Sequence, residues 1–524
     1  MAGGGTAGEA ARPSVSGPTR SRWISAVSCE QAMPPLAAGD LVSLDLDPAA
    51  VRLLGWALGA YVIFLLGLSF YAGRRVHDET DYVVAGRRLP LFLAWGTLIA
   101  TWFGAATMFA AADAARREGL LGVVLDPFAC GATLVLAGLV YARPLWRMQL
   151  FTMADFYRAK YGPTAEMVGA SIQVPAYFSW VALQYTALAR ILELYFDVPP
   201  AAGILVVAAI TLIYTLIGGM WSVTLTDTVQ ILIALAGLVV LVATTLAQPS
   251  LGDGDPLAGL AAVFARLAES HPDHLRLVPG EMSAAVLLGW LGLWATGLLG
   301  NIPGQDLQQR VFAARSADTA MKACVLAGVL YLVFGMLPVT LGLASLVTHP
   351  EGDLDPVGFL AGEYLSGWVL VVFVVAVVSM VVSTATSAVL APATLLGHNI
   401  LARFGLLASR PLLRDRLCVG LVSFGGIALA MSGETLMGLL DIALSIQLAA
   451  LFVPVTMGLY GRPRGERAAV FSMLAGFTAW LATFQIEHAE GWIPQRVFNA
   501  VTTVPSDFWG LGFAILGYRI GQAL

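Results

Sequence analysis

The sequence predicts an all-α polytopic membrane protein of about thirteen transmembrane helices, with a core of two inverted five-helix repeats. Three observations carry this reading. Of 524 residues, 58% are hydrophobic and 12% charged, about half the charge of an ordinary soluble domain. The apolar residues fall in runs long enough to cross the roughly 30 Å hydrocarbon layer as helices, without the alternation of about ten residues that a membrane β-barrel requires. Two of these runs, five runs apart, are interrupted by Gly and Pro, the sequence sign of a paired, inverted transporter core.

Residues 1–45 are rich in Gly, Ala, Ser and Pro and hold no apolar run, so a disordered leader or an upstream mis-called start is expected there. The expected spans are 51–72, 91–113, 121–142, 164–192, 199–217, 223–248, 283–305, 320–347, 366–398, 416–433, 435–460, 467–486 and 505–523. This divides the chain into the leader, a first span with its cytoplasmic loop (46–90), a ten-helix transport core (91–460) and two C-terminal spans (461–524).

Basic residues set the orientation. Arg74, Arg75, Arg87 and Arg88 follow span one; Arg143, Arg147, Arg158 and Lys160 follow span three; Arg310, Arg315 and Lys322 follow span seven. Arg403, Arg410, Arg414 and Arg416 follow span nine, and Arg462, Arg464 and Arg467 follow span eleven. With Arg519 these are nineteen of the 29 Lys and Arg. The opposite loops carry acids: Glu193 and Asp197, then Glu351, Asp353, Asp355 and Glu363, then Glu487 and Glu490. The positive-inside rule then puts the N-terminus outside and the C-terminus inside, in a multi-pass protein of the cytoplasmic (inner) membrane.

Span two reads Leu98-Ile-Ala-Thr-Trp-Phe-Gly-Ala-Ala-Thr107. Gly104 among small residues suits either a close helix contact or a break. Span seven reads Gly297-Leu-Leu-Gly-Asn-Ile-Pro-Gly-Gln-Asp306. Helical Gly costs about 1 kcal/mol and Pro about 3 kcal/mol relative to Ala, and unwound backbone is tolerated at membrane depth where it lines a cavity. A broken helix is therefore expected, with a simple proline kink as the alternative. In span six, Asp227 sits about one turn inside the cytoplasmic edge beside Thr226, Thr228 and Gln230; an acid there is either a group on an ion path or a hydrogen-bonded interfacial cap. Asp113 and Asp441 lie nearer outer ends and read as interfacial. Span nine carries Val382-Ser-Thr-Ala-Thr-Ser-Ala-Val-Leu390, whose buried hydroxyls need partners and are hard oxygen donors suited to a small cation.

These stretches resemble the sodium:solute symporter family, which has the LeuT-type inverted-repeat fold. The matching residues are Ala85-Gly-Arg-Arg-Leu-Pro90, Ala100-Thr-Trp-Phe-Gly104, Asp126-Pro127, Gly218-Gly-Met-Trp with Thr226-Asp-Thr-Val-Gln230, Gln308-Gln-Arg310 with Ala314-Arg-Ser316, and Ser383-Thr384. The resemblance implies a co-transported sodium ion held by the carbonyls of Ala100, Phe103 and Met380 and the hydroxyls of Ser383 and Thr384, an all-oxygen, uncharged cage. It implies a role for Asp227 on the cytoplasmic release path, and solute binding at the two breaks, here Trp102, Thr107, Gly300, Asn301, Gly304 and Gln305. Within the family the residues are most similar to the high-affinity choline transporter branch. Trp102 and Trp180 match two aromatic positions of that branch's cation cage, while Gly304 stands at the third. Packing in a long fourth span is the other reading of Trp180. Asn399-Ile400 replaces the Asp-Ile or Asp-Leu that often follows the ion motif, removing an acid at the inner end of span nine. Thr386 and Ser387 have no matching role and read as helix-packing polar residues.

The expected function is sodium-coupled symport of a small organic solute by alternating access. A transporter-like sensor without transport, and coupling to protons instead of sodium, are the alternatives. No enzyme is expected: the six histidines form no cluster, with only His398 inside an expected span, and the four cysteines (Cys29, Cys130, Cys324, Cys418) show no metal-ligand spacing. The partners are the solute, sodium and the bilayer; the net charge of −5 and the absence of a basic tract give no sign of nucleic acid. Oligomeric state is not legible.

Overall fold

The computed structural model describes residues 48–74, 79–280, 282–351, 354–433, 435–462, 465–487, 492 and 494–524. The expected leader lies outside them. The described chain is helical, with one isolated backbone bridge, Leu89 to Ala314.

Among the described residues, eight helical stretches are each long and apolar enough to cross a membrane, and two bent pairs, each counted as one span, bring this to ten. One bent pair, Leu91–Trp102 with Ala106–Leu121, turns by 56° at its break; the other, Pro163–Phe196 with Pro200–Leu216, turns by 119° and so covers two expected spans. The helices at the expected tenth and thirteenth spans, Pro411–Ala430 and Ser506–Ala523, do not meet that measure alone. Spans five and six form one helical run, Pro200–Leu246, yet Tyr214 Oη and Thr226 Oγ1 are 2.8 Å apart. Twelve residues of straight helix would separate those positions by about 18 Å, so the run folds back on itself between them, where the sequence places Gly218-Gly219.

The outside is apolar, and polar side chains such as Asp227, Arg310 and Gln184 are buried within a largely hydrophobic core. Phe64, Val229, Val333, Val372 and Phe424 are each more than half exposed, and on membrane helices such a face meets acyl chains rather than water. Inside, small residues let backbones approach. A Cβ on Gly96 would stand 2.5 Å from Thr228 Oγ1, and one on Gly104 would stand 2.7 Å from Thr384. These two glycines seat span two against spans six and nine.

The loops that carry the basic residues meet at one end. Arg87 donates to the Gln149 carbonyl at 2.8 Å, Arg143 pairs with Asp318 at 2.9 Å, Arg403 donates to the Pro163 carbonyl, and Glu466 accepts from the backbone of Thr164 and Ala165. Arg467 donates to the Leu524 carbonyl at 2.9 Å. At the other end, Arg116 donates to the His349 carbonyl at 2.7 Å and its own carbonyl lies 3.2 Å from His274 Nε2. The residue before span two and those after span seven are joined directly, Leu89 N–H to the Ala313 carbonyl at 3.1 Å and Arg315 N–H to the Leu89 carbonyl at 3.0 Å. The two broken helices therefore run in opposite directions, as an inverted repeat demands.

Candidate functional site

Span two is helical over Leu91–Trp102, loses helical geometry at Phe103 (φ −77°, ψ 66°), and resumes at Ala106. Span seven is helical over Ala284–Gly300 and again over Gln305–Ala313. Freed backbone groups at this depth need partners, and span four supplies one to each break. Gln184 accepts from Ala105 N–H at 3.1 Å, and Gln173 donates to the Pro303 carbonyl at 2.7 Å. Gln308 folds back to the Ile302 carbonyl at 2.8 Å.

At the first break the hydroxyls of span nine meet span two. Thr384 Oγ1 lies 2.9 Å from the Ala100 carbonyl and 3.2 Å from the Met380 carbonyl, with Phe103 at the break beside them. Ser383 donates to one Asp227 oxygen, and Thr97 donates to the other at 2.5 Å. Asp227 is fully buried. The structure thus places the Asp227 carboxyl directly on Ser383, at the edge of the oxygen cluster. The set of hydroxyls, carbonyls and one second-layer carboxylate suits a hard monovalent cation. Among the described residues no three His, Cys, Asp or Glu side chains are grouped to hold a metal ion.

Between the breaks lies a cavity lined by Trp102, Ala106, Asp126, Cys130, Tyr177, Trp180, Asn301, Asp306, Tyr331, Leu440, Ala443, Leu444 and Gln447. Two buried carboxyls face it. Asp306 accepts from Trp102 Nε1 at 2.7 Å and Tyr177 Oη at 2.5 Å. Asp126 accepts from Thr107 Oγ1 at 2.8 Å and Tyr331 Oη at 2.6 Å. Every oxygen of both groups is an acceptor. The rings close around them: Trp102 meets Tyr331 edge-on at 6.4 Å between centroids, and Tyr177 meets Trp180 at 5.7 Å. Buried acids beside aromatic rings are groups that can attract a cation.

The residues expected at the breaks divide in two groups. Trp102, Trp180 and Asn301 line the cavity, and Thr107 holds Asp126 from behind. Gly304 does not line the cavity: its Cβ would stand 2.9 Å from Asp306 Oδ1 and 3.5 Å from Gln447 Oε1, leaving no room for an aromatic ring, and Tyr177 and Tyr331 add two aromatic walls. Gly300 packs on the Leu444 carbonyl. Gln305 turns toward the end where the basic loops meet, accepting from Met153 N–H at 2.7 Å and donating to the Phe151 carbonyl at 3.4 Å. The structure does not bring Gly300, Gly304 or Gln305 into the cavity lining.

Gln305 leads instead to a polar cluster at the end where the basic loops meet. There Asn399 donates to Asp155 and Glu166, each at 2.8 Å, and accepts from Thr152 Oγ1 at 2.8 Å. Burial alone would raise the Asp155 carboxyl, but hydrogen bonding and charge from His398, with hydrogen bonds from Asn399 and the Thr152 N–H, hold it below the ordinary aspartate range.

Sequence reasoning missed Asp126 and Asp306 as cavity acids, the tyrosines that hold them, and the paired amides of span four. An acid inside an apolar run is a signal in itself; the tyrosines and glutamines carried none, since only tertiary contact gives them roles.

Residues 82–476 match the profile of the Sodium:solute symporter family. A high-affinity choline transporter of Caenorhabditis elegans is 25% identical over 468 residues, 81% of this chain and 76% of that protein. The human high affinity choline transporter is 27% identical over 335 residues, 61% of this chain and 55% of its own length, so the chain spans little more than half of that relative. A sodium/glucose cotransporter of Vibrio parahaemolyticus is 24% identical over 307 residues, 56% of this chain and 55% of that protein. Among solved structures, a Na+-coupled sialic acid symporter in a substrate-bound outward-open state superposes with a TM-score of 0.71 at 15% identity, covering 89% of this chain and 98% of that one. MhsT in complex with L-phenylalanine superposes at 0.51 with 13% identity, covering 82% and 98%. These likenesses show the expected LeuT-type fold.

Proposed function

The chain belongs to the sodium:solute symporter family, and from that premise we propose that it carries a small organic monocation into the cell together with sodium. It is a membrane transporter and not an enzyme; sodium is cargo rather than a resident cofactor. The observation that carries the choice of solute is the pair of buried carboxyls, Asp126 and Asp306, held by aromatic donors and facing one cavity. A cation entering between the rings of Trp102, Tyr177, Trp180 and Tyr331 exchanges its water for π-faces and negative charge, whereas an anion there would meet two like charges. The similarity to choline transporters makes choline the first candidate.

In this mechanism sodium binds at the oxygens of Ala100, Phe103, Met380, Ser383 and Thr384, with Asp227 as the adjoining counter-charge. Binding ties spans two and nine together and favours the state open to the outside. Solute binding between the two breaks completes the packing, and rocking of the core exposes both to the cytoplasm, where Asp227 offers the ion its next ligand. The meeting of the basic loops at one end of the helices supports an N-terminus outside and a C-terminus inside.

The test is thermal stability of the purified protein in sodium and in potassium, against choline, tetramethylammonium, a sugar and a carboxylate. Stabilisation by an organic cation that depends on sodium is the expected result. Stabilisation by only the sugar or the carboxylate would overturn the choice of solute, and indifference to sodium would overturn the ion site.

A further inference from the structure

Arg310 lies one turn after Asp306 in the helix Gln305–Ala313 and is 1% exposed. A guanidinium at that depth is costly unless it is paired and hydrogen-bonded. Nη1 donates to the Asp306 carbonyl at 2.9 Å and Nη2 donates to Ser387 Oγ at 2.5 Å, while Nε has no hydrogen-bond partner. These bonds set it beside two buried acids: Asp306 on its own half-helix, and Asp227, which accepts from Ser383 on span nine. Ser387 stands one turn beyond Ser383 on the same face of span nine, and Ser383 is the hydroxyl that meets Asp227. One side chain thus touches both the half-helix that carries Asp306 and the helix that carries Ser383 and Thr384.

We infer that Arg310 is the positioning residue through which sodium sets the solute cavity, an inference that rests on the sodium site described above. Sodium beside Asp227 supplies that acid with a second positive charge and weakens its hold on the guanidinium. The balance then moves toward Asp306 and Ser387, drawing the half-helix Gln305–Ala313 onto span nine and fixing Asp306 against Trp102 and Tyr177. A neutral side chain transmits none of this, because both acids respond to the charge. Linkage makes the effect reciprocal: solute that engages Asp306 tightens sodium by the same factor.

The test uses sodium alone, so the identity of the solute does not enter. Cys130 lines the cavity and serves as reporter in a full-length variant with Cys29, Cys324 and Cys418 replaced by Ser. Its rate of modification by methyl methanethiosulfonate is compared in sodium and in potassium at equal ionic strength, beside the melting temperature under the same conditions. With Arg310 present, sodium is expected to change the rate about five-fold or more, the lower range of allosteric coupling. In Arg310→Gln, sodium still raises the melting temperature but the rate no longer responds; Arg310→Lys restores part of the response, and Ser387→Ala, a small change that leaves the charge in place, reduces it. Where Arg310→Gln fails to fold, the Lys and Ala variants decide. A full Cys130 response in Arg310→Gln or Ser387→Ala, or sodium stabilisation with no Cys130 response in the parent, overturns the role of Arg310. If sodium neither stabilises the protein nor alters the rate, the sodium site itself is wrong.

Discussion

Gly104 and Thr384 face each other so closely that a methyl group on the glycine would stand 2.7 Å from both the hydroxyl and the methyl carbon of the threonine. The contact seats the hydroxyl 2.9 Å from the Ala100 carbonyl, so the first break and the ion motif form one feature. Gly104→Ala must push Thr384 away from span two, an overpacking cost of about 1–3 kcal/mol. It is expected to raise the sodium concentration for half-maximal uptake about five-fold or more, and Thr384→Ala, which removes a ligand without crowding, should do the same. Sodium titration of uptake checks both; an unchanged half-saturation in Thr384→Ala would remove Thr384 from the site.

Asp227 accepts from Thr97 and Ser383, one hydroxyl on each oxygen. In Asp227→Asn one of those hydroxyls would meet an amide N–H instead, and the charge beside the ion would be gone. Weaker sodium dependence and slower turnover are expected together, read by uptake kinetics at several sodium concentrations. Wild-type values in both would make Asp227 a structural acid only.

Asp306→Asn keeps the shape of the cavity and removes one of its charges. Because the carboxylate is held by Trp102 and Tyr177 under the rings that would face the solute, cation binding should weaken roughly ten-fold or more, as expected for a charged partner worth about 1.5–3 kcal/mol. Asp126→Asn should act in the same direction. Sodium-dependent stabilisation without solute should persist in both, which equilibrium binding of the solute and melting temperatures would separate.

Asn399 donates to Asp155 and Glu166 at once. Asn399→Asp would set a third carboxylate against two and remove both donors. The inner end should loosen, lowering the melting temperature at neutral pH, with recovery as pH falls through the carboxylate range and the repulsion is titrated away. Since Asp155 is held below the ordinary aspartate range, its own contribution in the wild-type protein is present above that range and lost only as pH drops beneath it. Equal stability of the variant at neutral pH would contradict the role of Asn399 as a link.

The membrane class, the two breaks and the inverted repeat were legible because each rests on local composition: apolar runs, Gly and Pro at depth, and basic loops at alternate ends. Ser383, Thr384, Ala100 and Trp102 were legible because a short motif carried them. Asp126 and Asp306 were visible as acids in apolar runs, but nothing local shows that both turn to one cavity. The roles of Tyr177, Tyr331, Gln173 and Gln184 exist only once span four crosses both breaks. Gln305 sits in the break by sequence, yet its helix faces it to the loop that carries Met153, a direction set by rotation of a nine-residue half-helix. The single helical run Pro200–Leu246 hid a fold-back that the Tyr214–Thr226 contact reveals.

The most direct test is uptake into proteoliposomes holding the purified protein, with an inward sodium gradient and labelled choline outside, and with tetramethylammonium and other small organic monocations in parallel. Accumulation of a cation above its external concentration, abolished when sodium is equal on both sides and strongly reduced in Asp306→Asn, is the predicted result. Sodium-driven accumulation of a neutral or anionic solute with no cation transported, or cation uptake indifferent to the sodium gradient, would contradict it.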